Sequence, residues 1–283
     1  MEFKDLKLIG PLLEAVAKQG YTAPTPIQEQ AIPHILQGKD LIGIAQTGTG
    51  KTAAFVLPLL QLMSQSPKRI SPKSPRTLVL APTRELAAQI DESFATYGSF
   101  MRFRHTVIFG GVGQAPQVRA LSHGVDVLVA TPGRLLDLMN QGHVKLGSLE
   151  FLVLDEVDRM LDMGFINDVK KVIARLPAQR HSVFFSATMP PKISELAKSL
   201  LRHPVRVEVA PQATTVKLVQ QKVLFVDDRN KDAVLLELLR RQDLRCVLVF
   251  TRTKRRANKV ADMLSYHRIR ADAIHGNKSQ GQR

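Results

Sequence analysis

The chain of 283 residues contains a single cysteine, Cys246. One cysteine excludes a disulfide within the chain, and no histidine stands at metal-ligand spacing from it or from another histidine. Disulfides are typical of oxidising compartments. The sequence therefore fits a reducing compartment, and we expect a cytoplasmic protein.

Long apolar segments are also missing. The longest candidate, Ala53–Met63, is interrupted by Pro58 and Gln61, and it falls short of the roughly 18 residues that a membrane helix needs. The first five residues lack the basic, then apolar, then small order of a secretory signal. We therefore expect no membrane partner.

Acidic residues are scarce, with 25 Asp and Glu against 40 Lys and Arg, which gives a formal net charge of +15. Residues 1–210 hold 24 basic against 18 acidic residues, whereas residues 211–283 hold 16 against 7. Such an excess suits a polyanionic partner such as nucleic acid. An acidic membrane surface, a ribosome or a generally basic surface would account for the same charge, so charge alone does not decide.

Short and nearly continuous apolar runs are abundant. They are typical of strands that are covered on both faces, and segments of helical period such as Arg84–Phe100 and Pro191–Leu201 lie between them. This alternation predicts an α/β fold with a doubly wound parallel sheet. The predicted strands are Asp40–Ala45, Thr77–Ala81, His105–Phe109, Asp126–Ala130, Phe151–Leu154, Ser182–Phe185 and Val205–Val209.

The alternation is interrupted at residues 210–219, which we interpret as a linker. It separates a first domain, residues 1–209 with a helical lead-in over Leu6–Gln19, from a second series over residues 220–283. Three strands are few for a doubly wound domain, so we expect this second domain to be incomplete. Its predicted strands are Lys222–Val226, Cys246–Thr251 and Ala271–Ile274, and its predicted helices are Lys231–Arg241 and Lys254–Tyr266.

A glycine-rich segment follows the first predicted strand and opens a helix. It matches the phosphate-binding pattern G-x-x-x-x-G-K-[ST], except that Ala45 takes the place of the first glycine. Backbone N–H groups of such a loop surround phosphate oxygens, Lys51 would reach the β- and γ-phosphates, and the Thr52 hydroxyl would bind Mg²⁺. The alternative is a turn that merely precedes a helix. The predicted nucleotide contacts are Ala45, Gln46, Thr47, Gly48, Thr49, Gly50, Lys51 and Thr52.

Acidic residues follow the predicted strand Phe151–Leu154 directly, in the order Asp155-Glu156-Val157-Asp158. Asp155 would hold Mg²⁺, usually through water. Glu156 could orient or deprotonate the attacking water. An acidic cluster after a strand is often only a solvated loop, but together with a phosphate-binding loop it indicates a functional site for phosphate and Mg²⁺.

These residues resemble the DEAD-box family of ATP-dependent RNA helicases. The segment Asp155–Asp158 is similar to its name-giving tetrapeptide, with Val157 in place of alanine, and the family's own phosphate loop begins with alanine, as at Ala45. The resemblance extends over residues 3–283 and is suggestive of the bacterial RhlE-like branch. It implies a RecA-like P-loop domain followed by an incomplete second RecA-like domain.

The segment Gly20–Gln28 resembles the family's adenine-reading element. The Gln28 amide can both donate and accept, as the adenine edge requires, although an ordinary surface glutamine is the alternative. The resemblance implies that Phe3 stacks on the base, and we include Tyr21 in the same site. Ser186-Ala187-Thr188 resembles the motif that couples hydrolysis to strand separation. The predicted catalytic residues are Lys51, Asp155, Glu156, Ser186 and Thr188. A simple strand-to-helix cap is the alternative role of Ser186–Thr188, and both roles can hold at once.

Three further segments resemble the family's RNA-backbone contacts. Their small residues expose backbone N–H groups, and Arg84 and Arg134 could neutralise phosphates. Taken singly, each segment is equally a helix cap or a turn. Because each motif follows a predicted strand, all are expected at the carboxyl edge of one parallel sheet. The predicted RNA contacts are Pro82, Thr83, Arg84, Gly110, Gly111, Thr131, Pro132, Gly133 and Arg134, and in the second series Thr251, Gln280 and Arg283.

The resemblance implies an RNA-stimulated ATPase that unwinds short duplexes and binds single-stranded or short duplex RNA without sequence preference. Ribosomal or RNA-degradation proteins are conceivable partners. The family's arginine-finger motif does not occur in the sequence. Such arginines are worth ~10³–10⁵ in turnover in related P-loop enzymes, so we expect this chain to bind ATP and Mg²⁺ but to hydrolyse slowly and unwind poorly alone. The alternatives are a nucleotide-gated RNA-binding module without useful catalysis and another P-loop motor, such as a DNA helicase or a transporter ATPase.

Overall fold

The structure is a computed structural model that describes residues 1–209, 220, 222–240, 244, 246–278 and 282. The chain divides into two compact units, Met1–Gln212 and Ala213–Arg283, and each is described by itself. The predicted linker, residues 210–219, lies outside the described residues. The domain boundaries therefore stay predictions.

A parallel sheet of seven strands forms the centre of the first unit. Its strands are β1 (Leu41–Ile44), β2 (Thr77–Leu80), β3 (His105–Ile108), β4 (Val127–Ala130), β5 (Phe151–Leu154), β6 (His181–Ser186) and β7 (Val205–Glu208). Their order across the sheet is β3-β4-β2-β5-β6-β1-β7, and every pair is parallel. All seven lie within one or two residues of the predicted bounds. The predicted doubly wound α/β sheet is therefore confirmed.

Helices cover both faces of this sheet. Side chains alternate between the faces along each strand, so Val79 packs on one face while Leu78 and Leu80 pack on the other. Within the described residues, no helix combines the length and the apolarity needed to cross a membrane. The helices are α1 (Gly10–Lys18), α2 (Pro26–Leu36), α3 (Lys51–Gln65), α4 (Arg84–Tyr97), α5 (Ala115–Ser122), α6 (Pro132–Asn140), α7 (Val157–Asp162), α8 (Ile166–Ile173) and α9 (Pro191–Leu200).

A glycine inside β1 fixes how the helix after the phosphate loop packs. Gly43 pairs with Phe185 of β6, and a Cβ at Gly43 would overlap the Phe185 ring. Because glycine leaves this space free, the Phe185 ring reaches Phe55 of α3, with 5.9 Å between ring centroids. The aromatic pair packs α3, which follows the phosphate loop, against the sheet.

The predicted lead-in helix, Leu6–Gln19, begins too early. Residues Phe3–Leu6 form a 3₁₀ helix, and Lys7 ends it with a left-handed backbone of φ 58°. Helix α1 starts at Gly10 because Pro11 suits the first turn of a helix, where its missing N–H is not needed.

The second unit contains two of the predicted helices, α10 (Lys231–Leu239) and α11 (Lys254–Tyr266), after a 3₁₀ turn at Asp228–Asn230. The three predicted strands of this unit are wrong for the described residues, which form no strand there. The side chains of Phe225 and Phe250 are 97% and 92% exposed. An apolar run shows a preference for covered positions, but a strand also requires a neighbour to pair with, and the described residues provide none.

Candidate nucleotide and RNA site

The order of the strands divides the sequence motifs into two groups on one edge of the sheet. The phosphate loop, the acidic motif and Ser186–Thr188 follow β1, β5 and β6, which are adjacent strands. The three segments predicted to contact RNA follow β2, β3 and β4, which are also adjacent. We call these the nucleotide half and the RNA half of the carboxyl edge. The two halves meet where β2 pairs with β5.

The phosphate loop is closed by its own lysine. Lys51 is buried, and its Nζ donates a hydrogen bond of 2.9 Å to the carbonyl oxygen of Ala45. Gly48 and Gly50 adopt left-handed backbones, with φ 82° and 92°, which glycine adopts without steric cost. Gln46, Thr47 and Gly48 remain exposed. Phosphate oxygens could therefore replace the Ala45 carbonyl as the acceptor for the Lys51 ammonium group.

Gln28 connects the lead-in segment to the phosphate loop. Its Nε2 donates to the carbonyl oxygen of Gly50 at 3.1 Å, and its Oε1 accepts the backbone N–H of Thr25 at 2.9 Å. A Cβ at Gly50 would lie 2.5 Å from that Nε2, so only glycine allows the contact. The amide keeps a second N–H and a second lone pair that could bind adenine. Adenine recognition by Gln28 stays a prediction, whereas its hydrogen bonds to Thr25 and Gly50 are observed.

The two aromatic residues predicted to meet the base differ in accessibility. Phe3 is only 7% exposed and belongs to the apolar core on the α1–α4 face. Tyr21 is 54% exposed. Stacking by Phe3 would require a ring that is already packed, a fact that the sequence does not reveal. Both assignments stay predictions.

Asp155 lies buried at the end of β5, and its Oδ1 accepts the backbone N–H of Glu156 at 3.0 Å. Burial raises the pKa of its carboxyl group to about 6, against the opposing effect of the Lys51 charge. The described residues contain no group of three or more His, Cys, Asp or Glu able to hold a metal. The Asp155 carboxylate and the Thr52 hydroxyl are hard oxygen donors that suit Mg²⁺, which takes its other ligands from phosphates and water. The donor set therefore fits Mg²⁺.

Glu156 is held in a constrained conformation. Its backbone is left-handed, with φ 52° and ψ 52°, which is uncommon outside glycine and concentrates at functional sites. Its Oε1 accepts the hydroxyl of Thr47 at 3.0 Å, and its Oε2 pairs with Nη1 of Arg159 at 3.2 Å. Arg159 was not among the predicted site residues. Its position three residues after Glu156, in the first turn of α7, is the signal that could have identified it.

Asp158 connects the acidic motif to the segment after β6. Its Oδ2 accepts both the backbone N–H of Thr188, at 3.0 Å, and the Thr188 hydroxyl, at 3.1 Å. The Ser186 hydroxyl accepts the backbone N–H of Asp158 at 3.2 Å and donates to the Thr188 carbonyl oxygen at 2.8 Å. The structure thus brings Ser186 and Thr188 onto the acidic motif, as the predicted catalytic set requires.

In the RNA half, Arg84 lies against Gly111. The guanidinium group is so near the Gly111 Cα that a Cβ there would overlap it, and Gly111 has a left-handed backbone of φ 73°. Thr83 caps α4 by accepting the backbone N–H of Leu86 at 3.2 Å. Two predicted RNA segments therefore meet, while Thr83 also performs the capping role that was its alternative interpretation.

The Arg134 side chain forms hydrogen bonds within the protein. Its side chain is 12% exposed, and it donates to Oε1 of Gln117 at 3.2 Å and to the Val112 carbonyl oxygen at 3.1 Å. The buried Gln117 donates in turn to the Phe109 carbonyl oxygen at 3.1 Å. Arg134 and Gln117 thus shape the loop that carries Gly110 and Gly111. Gln117 was not predicted, since no motif marks it, and contact of Arg134 with phosphate stays a prediction.

The remaining predicted RNA contacts differ in their exposure and in the unit to which they belong. Pro82, Thr131 and Pro132 are buried, whereas Gly133 is exposed. Thr251 belongs to the second unit, where its hydroxyl donates to the Thr253 carbonyl oxygen at 3.1 Å. Gln280 and Arg283 lie outside the described residues.

Comparison with known proteins identifies the family. The DEAD/DEAH box helicase family model matches residues 25–196, which contain the phosphate loop, the acidic motif and all predicted RNA segments of the first unit. This chain belongs to the DEAD/DEAH box helicases. The match agrees with the resemblance read from the sequence.

The chain is similar to curated helicases over nearly its whole length. It is 44% identical over 282 residues to the ATP-dependent rRNA helicase rrp3 of Emericella nidulans, covering 99% of this chain and 60% of that protein. It is 40% identical over 283 residues to the DEAD-box ATP-dependent RNA helicase CshA of Bacillus subtilis, covering 99% and 56%. The chain therefore spans about half the length of these DEAD-box relatives.

A solved structure shows the same fold. The crystal structure of a DEAD box protein from the hyperthermophile Methanococcus jannaschii superposes with a TM-score of 0.69 at 34% identity, covering all of this chain and 75% of that one. This similarity supports the RecA-like assignment of the DEAD-box fold.

Proposed function

We propose that this chain is the ATP- and RNA-binding part of an ATP-dependent RNA helicase that remodels short RNA duplexes. One observation carries the proposal: the sheet order places the phosphate loop, the acidic motif and Ser186–Thr188 after three adjacent strands, and the predicted RNA segments of the first unit after the next three. ATP bound at the nucleotide half would therefore lie beside RNA bound at the RNA half. The names of the DEAD-box relatives, which are ATP-dependent RNA helicases, support the same function.

In the nucleotide half, each residue has a defined task. Lys51 neutralises the phosphates, Thr52 and Asp155 hold Mg²⁺, and Glu156 orients or deprotonates the attacking water. Mg²⁺ supplies charge neutralisation of the phosphates when it is bound. Thr47 and Arg159 keep the Glu156 carboxylate in one orientation through its two oxygens.

The RNA half would bind the phosphate backbone. Arg84 supplies charge, while the loops at Gly110–Gly111 and Gly133 leave backbone N–H groups accessible. Contacts of this kind carry no base information, so we propose binding of single-stranded or short duplex RNA without sequence preference. Ribosomal or RNA-degradation proteins as partners, a cytoplasmic location and membership of the RhlE-like branch are further proposals that rest on the sequence alone.

The test is ATP hydrolysis by the chain, with and without single-stranded RNA, beside Glu156→Gln. Glu156→Gln keeps the size of the side chain but removes its basicity. RNA-stimulated turnover that the variant loses supports the proposed enzyme, although we expect the turnover of the chain alone to be slow. RNA binding that responds to an ATP analogue without any turnover would favour the nucleotide-gated RNA-binding module. Stimulation by DNA equal to that by RNA would contradict the assignment to RNA.

A further inference from the structure

A row of basic residues lies at the opposite edge of the sheet, where β2, β3 and β4 begin. Arg104 immediately precedes β3, while Arg119 and His123 lie at the end of α5, which leads into β4. All three are exposed. None of them belongs to the nucleotide half or the RNA half.

Two shallow, neighbouring hollows lie on this surface. One has a volume of about 480 Å³ and is lined by Arg104, His105 and His123 among others. The other, of about 380 Å³, is lined by Arg119 and shares His123 with the first. No acidic residue occurs among the described residues that line either hollow. We call this surface the amino-edge groove.

The acidic residues nearby are already engaged. Asp126 is buried and accepts the backbone N–H of Arg104 at 2.9 Å, and Asp91 pairs with His105 at 2.8 Å. Within the described part of the chain, no carboxylate forms an ion pair with the side chain of Arg104 or Arg119. Their charges are therefore directed to solvent and available to an external anion.

The loop between α3 and β2, residues 66–76, packs beside the groove. Gly124, with φ 78°, allows it to pack closely, because a Cβ there would lie 2.5 Å from Cγ2 of Ile70. The backbone N–H of Lys73 donates to the Leu121 carbonyl oxygen at 2.8 Å. The exposed Arg69 is adjacent in sequence to Ile70. The Lys73 backbone thus lies at the end of α5, while its Nζ donates to the Gly142 carbonyl oxygen at 3.3 Å.

The amino-edge groove is separate from the RNA half. A strand rises about 3.3 Å per residue, so the four residues of β2 or β3 alone place the two edges about 13 Å apart. A phosphate at Arg104 cannot simultaneously contact Arg84 or Gly111. No large apolar side chain is exposed among the described residues that line the hollows, whereas protein interfaces usually need an apolar centre. Shallow, cationic and without a large exposed apolar side chain, the surface fits a phosphate backbone.

We propose that the amino-edge groove is a second RNA-binding surface, which holds the phosphate backbone of RNA flanking the segment at the carboxyl edge. The proposal rests on the proposed function for the identity of the polyanion. Because the groove lies away from the phosphate loop, binding to it does not depend on nucleotide. It extends the footprint on long RNA and adds nothing to the binding of a short strand.

The experiment compares the chain with the double variant Arg104→Glu, Arg119→Glu by fluorescence anisotropy. The probes are a long RNA of about 25 nucleotides and a short one of about 6, near the lower site sizes of single-strand binding, each with and without a non-hydrolysable ATP analogue and Mg²⁺. We expect the Kd for long RNA to rise by about tenfold or more, and its salt slope to fall by about 0.7 for each lost phosphate contact. The short RNA should bind as before.

A matched control is Lys170→Glu, Lys198→Glu, which changes the net charge equally at exposed positions of α8 and α9. The milder pair Arg104→Gln, Arg119→Gln should give a smaller loss if charge reversal disturbs folding. Unchanged affinity for long RNA in both groove variants would overturn the proposal, and would leave an acidic protein as the candidate partner. An equal loss in the control would overturn it as well, since net charge would then explain the effect. If the wild-type chain fails to bind short RNA with the ATP analogue, the proposed function fails, while the comparison on long RNA still tests the groove.

Discussion

The hydroxyl of Thr47 donates a hydrogen bond of 3.0 Å to the carboxylate of Glu156, and so joins the phosphate loop to a residue 109 positions later in the chain. The other carboxylate oxygen of Glu156 pairs with Arg159. Two partners on two elements thus fix a residue whose backbone is already left-handed. The orientation of the proposed base therefore depends on the loop that binds the phosphates.

Thr47→Val tests this dependence. The substitution preserves the shape of the side chain and removes the donor, and a hydrogen bond to a charged group is worth about 1.5–3 kcal/mol. We expect kcat for ATP hydrolysis to fall by about tenfold or more, with a smaller change in KM. Thr49→Val is the comparison, because the Thr49 hydroxyl donates to the Gln46 carbonyl oxygen within the loop. Equal effects of the two variants on kcat would contradict a specific role for Thr47.

Asp158→Ala should loosen the segment after β6. Asp158 accepts two hydrogen bonds from Thr188, and removal of about 1.4 kcal/mol of local stability speeds amide exchange about tenfold. Hydrogen exchange at the Thr188 amide is the measurement. The exposed Asp162 of α7 provides the control Asp162→Ala, which should leave this amide unchanged. Slow exchange at Thr188 in both variants would show that Asp158 does not hold the segment.

Gln117→Leu should weaken RNA binding and leave ATP binding intact. The leucine has a similar volume but removes one of the two acceptors of Arg134 and the side-chain donor to the Phe109 carbonyl oxygen, at a cost of about 1–3 kcal/mol. We expect the Kd for short RNA to rise by about tenfold, with the Kd for a fluorescent ATP analogue unchanged. The control is Gln141→Leu, at an exposed position beside Gln114. Loss of both affinities together would indicate general destabilisation instead.

The pair of His105 and Asp91 predicts a pH dependence of stability. Its hydrogen bond to Asp91 raises the pKa of His105, with burial opposing. Because the folded pKa lies above the unfolded value of about 6.5, the stabilisation is fully present below pH 6.5 and is lost as pH rises through the folded pKa. Asp91→Asn should therefore cost more stability at pH 5.5 than at pH 9, as measured by chemical denaturation. A cost that does not vary with pH would rule out the charged pair.

The sheet could be predicted from the sequence because its inner strands β2 and β4 are apolar runs that are fully buried. Val79 and Leu80 carry the same signal although they face different cores. The convergence of the motifs also followed from topology, since loops after parallel strands share an edge. The grouping into two halves did not, because strand order is not encoded in local pattern.

Some features of the site could not be predicted. The burial of Phe3 and the hydrogen bond from Arg134 to Gln117 depend on contacts between distant segments, which residue type does not show. In the second unit, apolar residues such as Phe225 and Phe250 predicted strands, but both are exposed in the structure. Hydrophobicity predicted a tendency to be covered, while strand formation depends on a paired neighbour.

The measurement that tests the account most directly is equilibrium binding of a fluorescent ATP analogue to the chain and to Lys51→Ala. The Lys51 ammonium group now bonds to the Ala45 carbonyl oxygen and should exchange this acceptor for phosphate oxygens. We predict saturable, Mg²⁺-dependent binding that weakens by about tenfold or more in Lys51→Ala, and that is unchanged in the remote Lys198→Glu. Equal binding by the wild-type chain and Lys51→Ala would contradict the assignment of the nucleotide half.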